Sequence, residues 1–108
     1  MCEPITLFES RDGYVVRCKH CGYTQVAFGT TLINIEMPDF QIFLEMVRKI
    51  CNEDEVRRGE DVKNILIPTS CHEIFIILTP AEVFRLLIIL ERADDEIKAS
   101  QLFHLFDK

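Results

Sequence analysis

The side chains best suited to chemistry in this sequence are sulfurs. Five cysteines occur, at Cys2, Cys18, Cys21, Cys51 and Cys71. Cys18 and Cys21 are separated by two residues and followed at once by Gly22. That is the spacing of a zinc knuckle. Two thiolates face one ion where the backbone turns tightly, and the glycine lets backbone amides approach the sulfurs. Zinc prefers four ligands in a tetrahedron, so one such pair is half a site. Hairpin counting supplies a third thiol. With Ser10 to Gly13 as the first turn, Glu9 lies opposite Tyr14, Ile5 opposite Cys18, and Cys2 falls beside Cys21. Cys71 and His72, in a later turn, are the candidates for the fourth position. His20, inside the knuckle, is expected to point away from the same ion. The expected metal set is therefore Cys2, Cys18 and Cys21 with Cys71 or His72, and the expected ion is Zn2+. A water or a partner's side chain in the fourth position would make the site open, as catalytic zinc sites are.

Two other readings of the pair stay open: thiols that pack or face solvent, and thiol redox chemistry. Redox pairs ordinarily open a helix whose N-terminus activates the thiol, whereas a strand is expected after Cys21. Cys51, next to Ile50 on a helix, reads as a small core residue. His104 sits among Leu102, Phe103, Leu105 and Phe106 and reads as a surface or interface histidine. The acid pairs Glu53 with Glu55 and Asp94 with Asp95 have the chemistry to hold a hard cation or to act as acid and base. Both pairs lie in highly charged segments near helix ends and are read as solvated. No phosphate-cradling glycine loop and no serine nucleophile elbow occur, so no catalytic residue is assigned.

The elements that must position these groups follow from period and punctuation. Ile5 to Glu9, Tyr14 to Cys18, Thr24 to Phe28 and Thr31 to Ile35 read as four strands, with Gly13 able to take a positive φ in the first turn and Gly29-Thr30 as a two-residue turn. Phe40, Phe43, Val47 and Ile50 then recur at helical spacing behind Pro38 and Asp39, which predicts a helix to about Asn52. Glu53 to Asp61 holds seven charged residues and reads as a solvated loop. Ile65 to Ile67 and Ile74 to Leu78 form a second hairpin. Thr79, Pro80 and Glu82 make a capping box for a helix from Val83 to Ala93 that is apolar nearly all round. A bend near Asp94 and a separate tail helix, pinned by Ile97, Leu102, Leu105 and Phe106, are expected after it. The fold class is α+β, a mostly antiparallel sheet of about six short strands in the order ββββαββα plus a C-terminal helix, with the helices on one face. Val26 to Ile50 and Ile65 to Ala93 share a layout of strand, turn, strand, proline and helix, which raises an internal duplication.

Composition bounds the rest. At 108 residues, 48% apolar, the chain is expected to be one domain over residues 1–108. Its longest apolar runs fall far short of the ~20 residues of a membrane helix. The net charge of −6 argues against gripping phosphates. A patch of Arg17, Lys19 and His20 around the knuckle is the only nucleic-acid alternative. An odd cysteine count, with no basic or apolar segment at Met1-Cys2-Glu3-Pro4, points to a reducing, cytoplasmic setting without a signal peptide. The apolar surplus of Phe84 to Leu90 and Leu102 to Phe106 predicts a homodimer or another protein partner covering one face.

The stretches Met1-Cys2-Glu3-Pro4, Gly13 to Cys18, Cys21-Gly22 and Gln25 to Thr30 resemble a family of small bacterial proteins of unknown function. The resemblance is strongest over the first third of the chain, and Ile65 to Ala93 fits it more loosely. It implies single-domain cytoplasmic proteins with no assigned activity and carries over no catalytic residue. It also implies that Cys2 belongs with Cys18 and Cys21, and it supplies no fourth ligand. The function expected from these readings is a non-catalytic, zinc-stabilised binding or regulatory module. The alternatives are a thiol- or metal-dependent enzyme using Cys18 and Cys21, and a nucleic-acid-binding zinc-knuckle protein.

Overall fold

The structure is a computed structural model and describes residues 3–18, 20–53, 56, 62–63 and 65–106, the side chains of 104–106 excepted. Four strands, β1 (Pro4–Glu9), β2 (Gly13–Cys18), β3 (Tyr23–Phe28) and β4 (Thr31–Glu36), form an antiparallel meander. Helix α1 (Met37–Cys51) follows, then a separate two-stranded sheet of β5 (Ile65–Pro68) and β6 (Phe75–Leu78), then helix α2 (Pro80–Phe106). The α+β class and the six antiparallel strands agree with the sequence pattern. So does the repeated order of hairpin and helix.

The turns show why the meander closes where it does. Gly29 takes φ +58, as the first residue of a two-residue hairpin turn must, and Phe28 pairs with Thr31. Gly13 does not use the positive φ open to it. Its requirement is close approach instead: a Cβ there would stand 1.9 Å from the Ala27 carbonyl oxygen of the neighbouring strand. The register of β1 also departs from simple counting. Glu9 pairs with Tyr14 as expected, but a β-bulge between Thr6 and Phe8 shifts the rest, so Pro4 rather than Ile5 lies opposite Cys18. A bulge inserts one unpaired residue into one strand, which hairpin arithmetic cannot see.

The core lies between the meander and the helices. Val15, Thr24, Val26 and Phe28 alternate inward from the sheet and meet Phe40, Leu44, Val47 and Cys51 of α1. Val83, Leu86, Ile89, Leu90, Ala93 and Ile97 of α2 complete it. Val56, within the segment read as a solvated loop, is fully buried, and residues 54–55 and 57–61 of that segment lie outside the described residues.

The start of α2 is fixed by the capping box. The Thr79 N–H donates to Glu82 Oε1 at 2.8 Å, and the Glu82 N–H donates to Thr79 Oγ1 at 3.1 Å. The expected bend near Asp94 is absent, and α2 runs unbroken for 27 residues. Between Ala81 and Phe106 no Gly or Pro interrupts it. Asp94, far from being solvated, is 2% exposed. It accepts a hydrogen bond from Gln41 Nε2 of α1 and pairs with Lys98 one turn on at 2.9 Å. Those bonds need helical geometry through residues 94–98, where the acid cluster alone suggested a break. Leu102 does not pin this end to the body, being 55% exposed.

Two measurements test this account. Gly13→Ala should destabilise the fold by at least ~2 kcal/mol in urea unfolding, because backbone must move to admit a methyl group. The second concerns acid. Hydrogen bonds from Thr79, then from Lys63, hold the Glu82 carboxyl below its ordinary value of 4.5. For Asp94, burial raises the pKa, but the bonds from Lys98 and Gln41 and the charges of Lys98 and Arg48 outweigh it, leaving the group below 3.8. A depressed carboxyl pKa means stability fully present above the unfolded value and lost as pH falls through the folded one. The melting temperature should therefore fall below about pH 4.5, and Asp94→Asn should flatten that fall.

Candidate functional site

Strand β2, an inner strand of the meander, delivers Cys18 to its C-terminal end, and the chain turns before β3 begins at Tyr23. Gly22 completes the turn with φ +74, a conformation that favours glycine. Its carbonyl accepts the Met37 N–H at 2.9 Å, tying the turn to the first residue of α1. Within the turn the Cys21 N–H donates to Cys18 Sγ at 3.3 Å, and the Cys18 and Cys21 sulfurs lie 2.9 Å apart. An amide aimed at sulfur favours negative charge there, which is the charge a metal-bound thiolate carries. Two thiolates at ~2.3 Å from one tetrahedral zinc stand about 3.8 Å apart, and a disulfide holds its sulfurs at ~2.05 Å. The observed separation lies between the two.

The other predicted ligands fall elsewhere. Cys2 lies outside the described residues. Cys71 and His72 are exposed in the β5–β6 turn. That turn has its own local account. Thr69 Oγ1 accepts the Cys71 N–H at 3.2 Å and donates to the Ile74 carbonyl at 2.7 Å. Among the described residues no three His, Cys, Asp or Glu side chains converge as an ion would require, so neither Cys71 nor His72 joins the pair here. His20 is exposed in the knuckle turn. Arg17 is one residue before Cys18, so strand alternation directs it to the opposite face, and Lys19 lies outside the described residues. The basic patch needed for nucleic acid is thus not assembled by the described residues.

Two clefts share Tyr23 and Asn34, and the first of them is lined by the cysteine pair. One, of about 610 Å³, opens on the solvent face of the sheet between Pro4, Cys18, Cys21 and Gln25. The other, of about 450 Å³, lies between β4, α1 and the start of the β5–β6 turn. Tyr23 and Asn34 line both, and the Tyr23 hydroxyl donates to Glu36 Oε1 at 3.4 Å. Sequence reading missed Tyr23, Asn34 and Glu36. Counting outward from the Gly29-Thr30 turn would have placed Tyr23 opposite Glu36 and Gln25 opposite Asn34, since β3 and β4 pair without a bulge.

Cys51 is buried as expected, its thiol 3.8 Å from the Val83 carbonyl. Desolvation, with a smaller contribution from the Glu91 charge, pushes it up to about 11.

The fold and site together define a small α+β protein with a cysteine turn at one end of an antiparallel meander. Residues 1–106 match a family of unknown function, DUF6686, and the chain belongs to that family. No curated protein and no solved structure matches it. No helix among the described residues is long and apolar enough to cross a membrane.

Thiol labelling checks the contrast between Cys51 and Cys71. At pH 8 a raised pKa leaves Cys51 protonated, and burial excludes the reagent. Ellman's reagent should modify Cys71 within minutes in the native protein and reach Cys51 only after denaturant is added, with peptide mapping to assign each.

Proposed function

We propose that the chain is a non-catalytic binding and regulatory module whose N-terminal hairpin is pinned by a zinc ion on Cys18 and Cys21. The observation that carries this reading is the knuckle turn itself: two sulfurs side by side, an amide on the first, and a positive-φ glycine behind the second. Cys2 is the third ligand in this reading. It precedes by two residues Pro4, whose Cα pairs with that of Cys18, and two residues of chain span up to ~7 Å. The fourth position goes to Cys71 or His72 after movement of their turn, to a water, or to a partner's side chain. Closing the ion on Cys2 would fasten β1 to the far end of β2, where a two-strand edge frays most easily.

Elemental analysis of purified protein should give about one zinc per chain. Removal by a chelator should lower the melting temperature by more than ~5 °C, and Cys18→Ser or Cys21→Ser should abolish both the zinc and that response. Metal-free protein whose melting is indifferent to added zinc would remove the reading.

The same 2.9 Å separation favours a second reading, a dithiol–disulfide couple. There the Cys18 and Cys21 sulfurs bond and two protons and two electrons pass to a small disulfide such as oxidised glutathione. Counting thiols before and after reduction of the purified protein separates the two.

The partner we propose is a second copy of the chain, in a reducing cytoplasmic setting. The outward positions of the β5–β6 hairpin are Leu66, Pro68, Phe75 and Ile77, all apolar, where a solvated face would alternate to polar residues. A two-stranded hairpin is marginal alone, and pairing two such faces would cover both. Light scattering should report a dimer, and Phe75→Glu, at a position 53% exposed, should yield a folded monomer.

A further inference from the structure

We propose that the 450 Å³ cleft between β4, α1 and the β5–β6 turn binds a small organic cation, an amine carried on an apolar or aromatic body. The inference goes beyond the zinc reading and does not depend on it. The volume lies within the ~300–1,000 Å³ of small-molecule sites. It suits one ring system and a short chain.

The lining divides into two chemistries. Ile33, Ile42, Phe43 and Met46 make an apolar wall, and Met46 supplies a side chain that adapts its shape to a ring. Glu36 and Asp39 stand at the other end with Tyr23 and Asn34. Among the described residues no Lys, Arg or His lines the cleft. The positive end of α1 offsets about half a charge, so two carboxylates leave that rim net negative. Glu36 is held in place by the Tyr23 hydroxyl on one oxygen. Asp39, in the first turn of α1, has no ion pair or side-chain hydrogen bond among the described residues. An ammonium at this end would have two carboxylates and the Asn34 amide oxygen as acceptors, while its carbon body displaced water from the wall. Thr69 and Ser70 of the β5–β6 turn add uncharged polar groups to the lining, so an anionic ligand would meet like charge at Glu36 and Asp39 and no opposite charge among the described residues.

Matched indoles test the charge requirement at constant shape: tryptamine, tryptophol and indole-3-acetate, titrated into the full chain and followed by amide NMR shifts. Tryptamine should bind at least ~10-fold more tightly than tryptophol, which is the effect of about one favourable charge contact, and indole-3-acetate should be the weakest. The shifts should centre on Ile33 to Glu36 and Asp39 to Met46. Glu36→Gln with Asp39→Asn should bring tryptamine to the level of tryptophol and leave tryptophol unchanged. Ile42→Lys, at a side chain 68% exposed and so harmless to folding, should abolish tryptamine binding by placing a cation on the rim. Equal affinity for all three indoles, or no binding of any at 10 mM (about the weakest affinity of interest), would overturn the proposal. So would a lysine-containing peptide binding at least ~10-fold more tightly than tryptamine, which would make the cleft a docking groove for protein.

Discussion

The apolar stripe of α2 is the constraint on which the rest of the structure rests. Val83, Leu86, Leu90, Ala93 and Ile97 repeat at three- and four-residue intervals, and Ile89 widens the stripe. Each large aliphatic side chain so buried contributes roughly 1.5–3 kcal/mol. This one helix packs on β1, β2, β6 and α1, so it joins two sheets that share no hydrogen bond with each other. Without it the β5–β6 hairpin would be an isolated ribbon, and such ribbons are marginal in water. Charged contacts stand at its margins. Arg85 reaches Asp12 in the first turn of the meander at 3.4 Å, and Glu91 faces Arg48 of α1 at 3.8 Å. Both are surface pairs worth little individually, but they face opposite neighbours and so oppose rolling of the helix in either direction.

Specific register comes from the few polar groups inside. Thr24, Thr79 and Asp94 are the buried polar residues among those described, and no buried side-chain oxygen or nitrogen there lacks a partner. Thr24 donates to Met37 Sδ at 3.0 Å, where the meander meets α1. Asp94 binds Gln41 across the α1–α2 contact. An apolar contact slides at little cost, whereas displacing Asp94 by one residue would strand a carboxylate in the core. These two bonds locate α1 against the sheet and α2 against α1, and the knuckle turn hangs on the same frame through Gly22 and Met37.

What was legible in the sequence was what local chemistry decides. Strands end at Gly29 and Pro68 because a turn and a missing N–H end them, and the capping box at Thr79 needs only four residues to form. What was hidden depends on contacts distant in the chain. The bulge in β1 lets Phe8 pair with Val15 on the core side, a packing demand that no count of hairpin residues contains. Val56 reads as a lone valine among charges, and its place in the core is a packing outcome that no local pattern contains. Asp94 reads as one of three clustered acids until Gln41, 53 residues earlier, is seen to reach it. The thiol pair was legible through its spacing, and its fourth ligand was not, because Cys71 belongs to a turn already satisfied by Thr69.

The distribution of chemistry across the sheet separates stability from recognition. The inward face of the meander carries the core valines, and the outward face carries Val16, Gln25 and Asn34 in one cross-strand row and Pro4, Cys18, Tyr23 and Glu36 at one end. Period-two alternation makes these two sets independent, since no outward residue can be exchanged for an inward one without a slip of register. Side chains of the outward face can therefore vary at little cost to the core. The acids at the head of α1 have a structural use of their own, since carboxylates favour a helix N-terminus by a few tenths to about 1 kcal/mol. Asp39 lies in that first turn, and Glu36, at the N-cap, makes no side-chain capping hydrogen bond. Both line a cleft at which no described residue is basic, and Glu36, unused as a cap, is a property of the surface rather than of the fold.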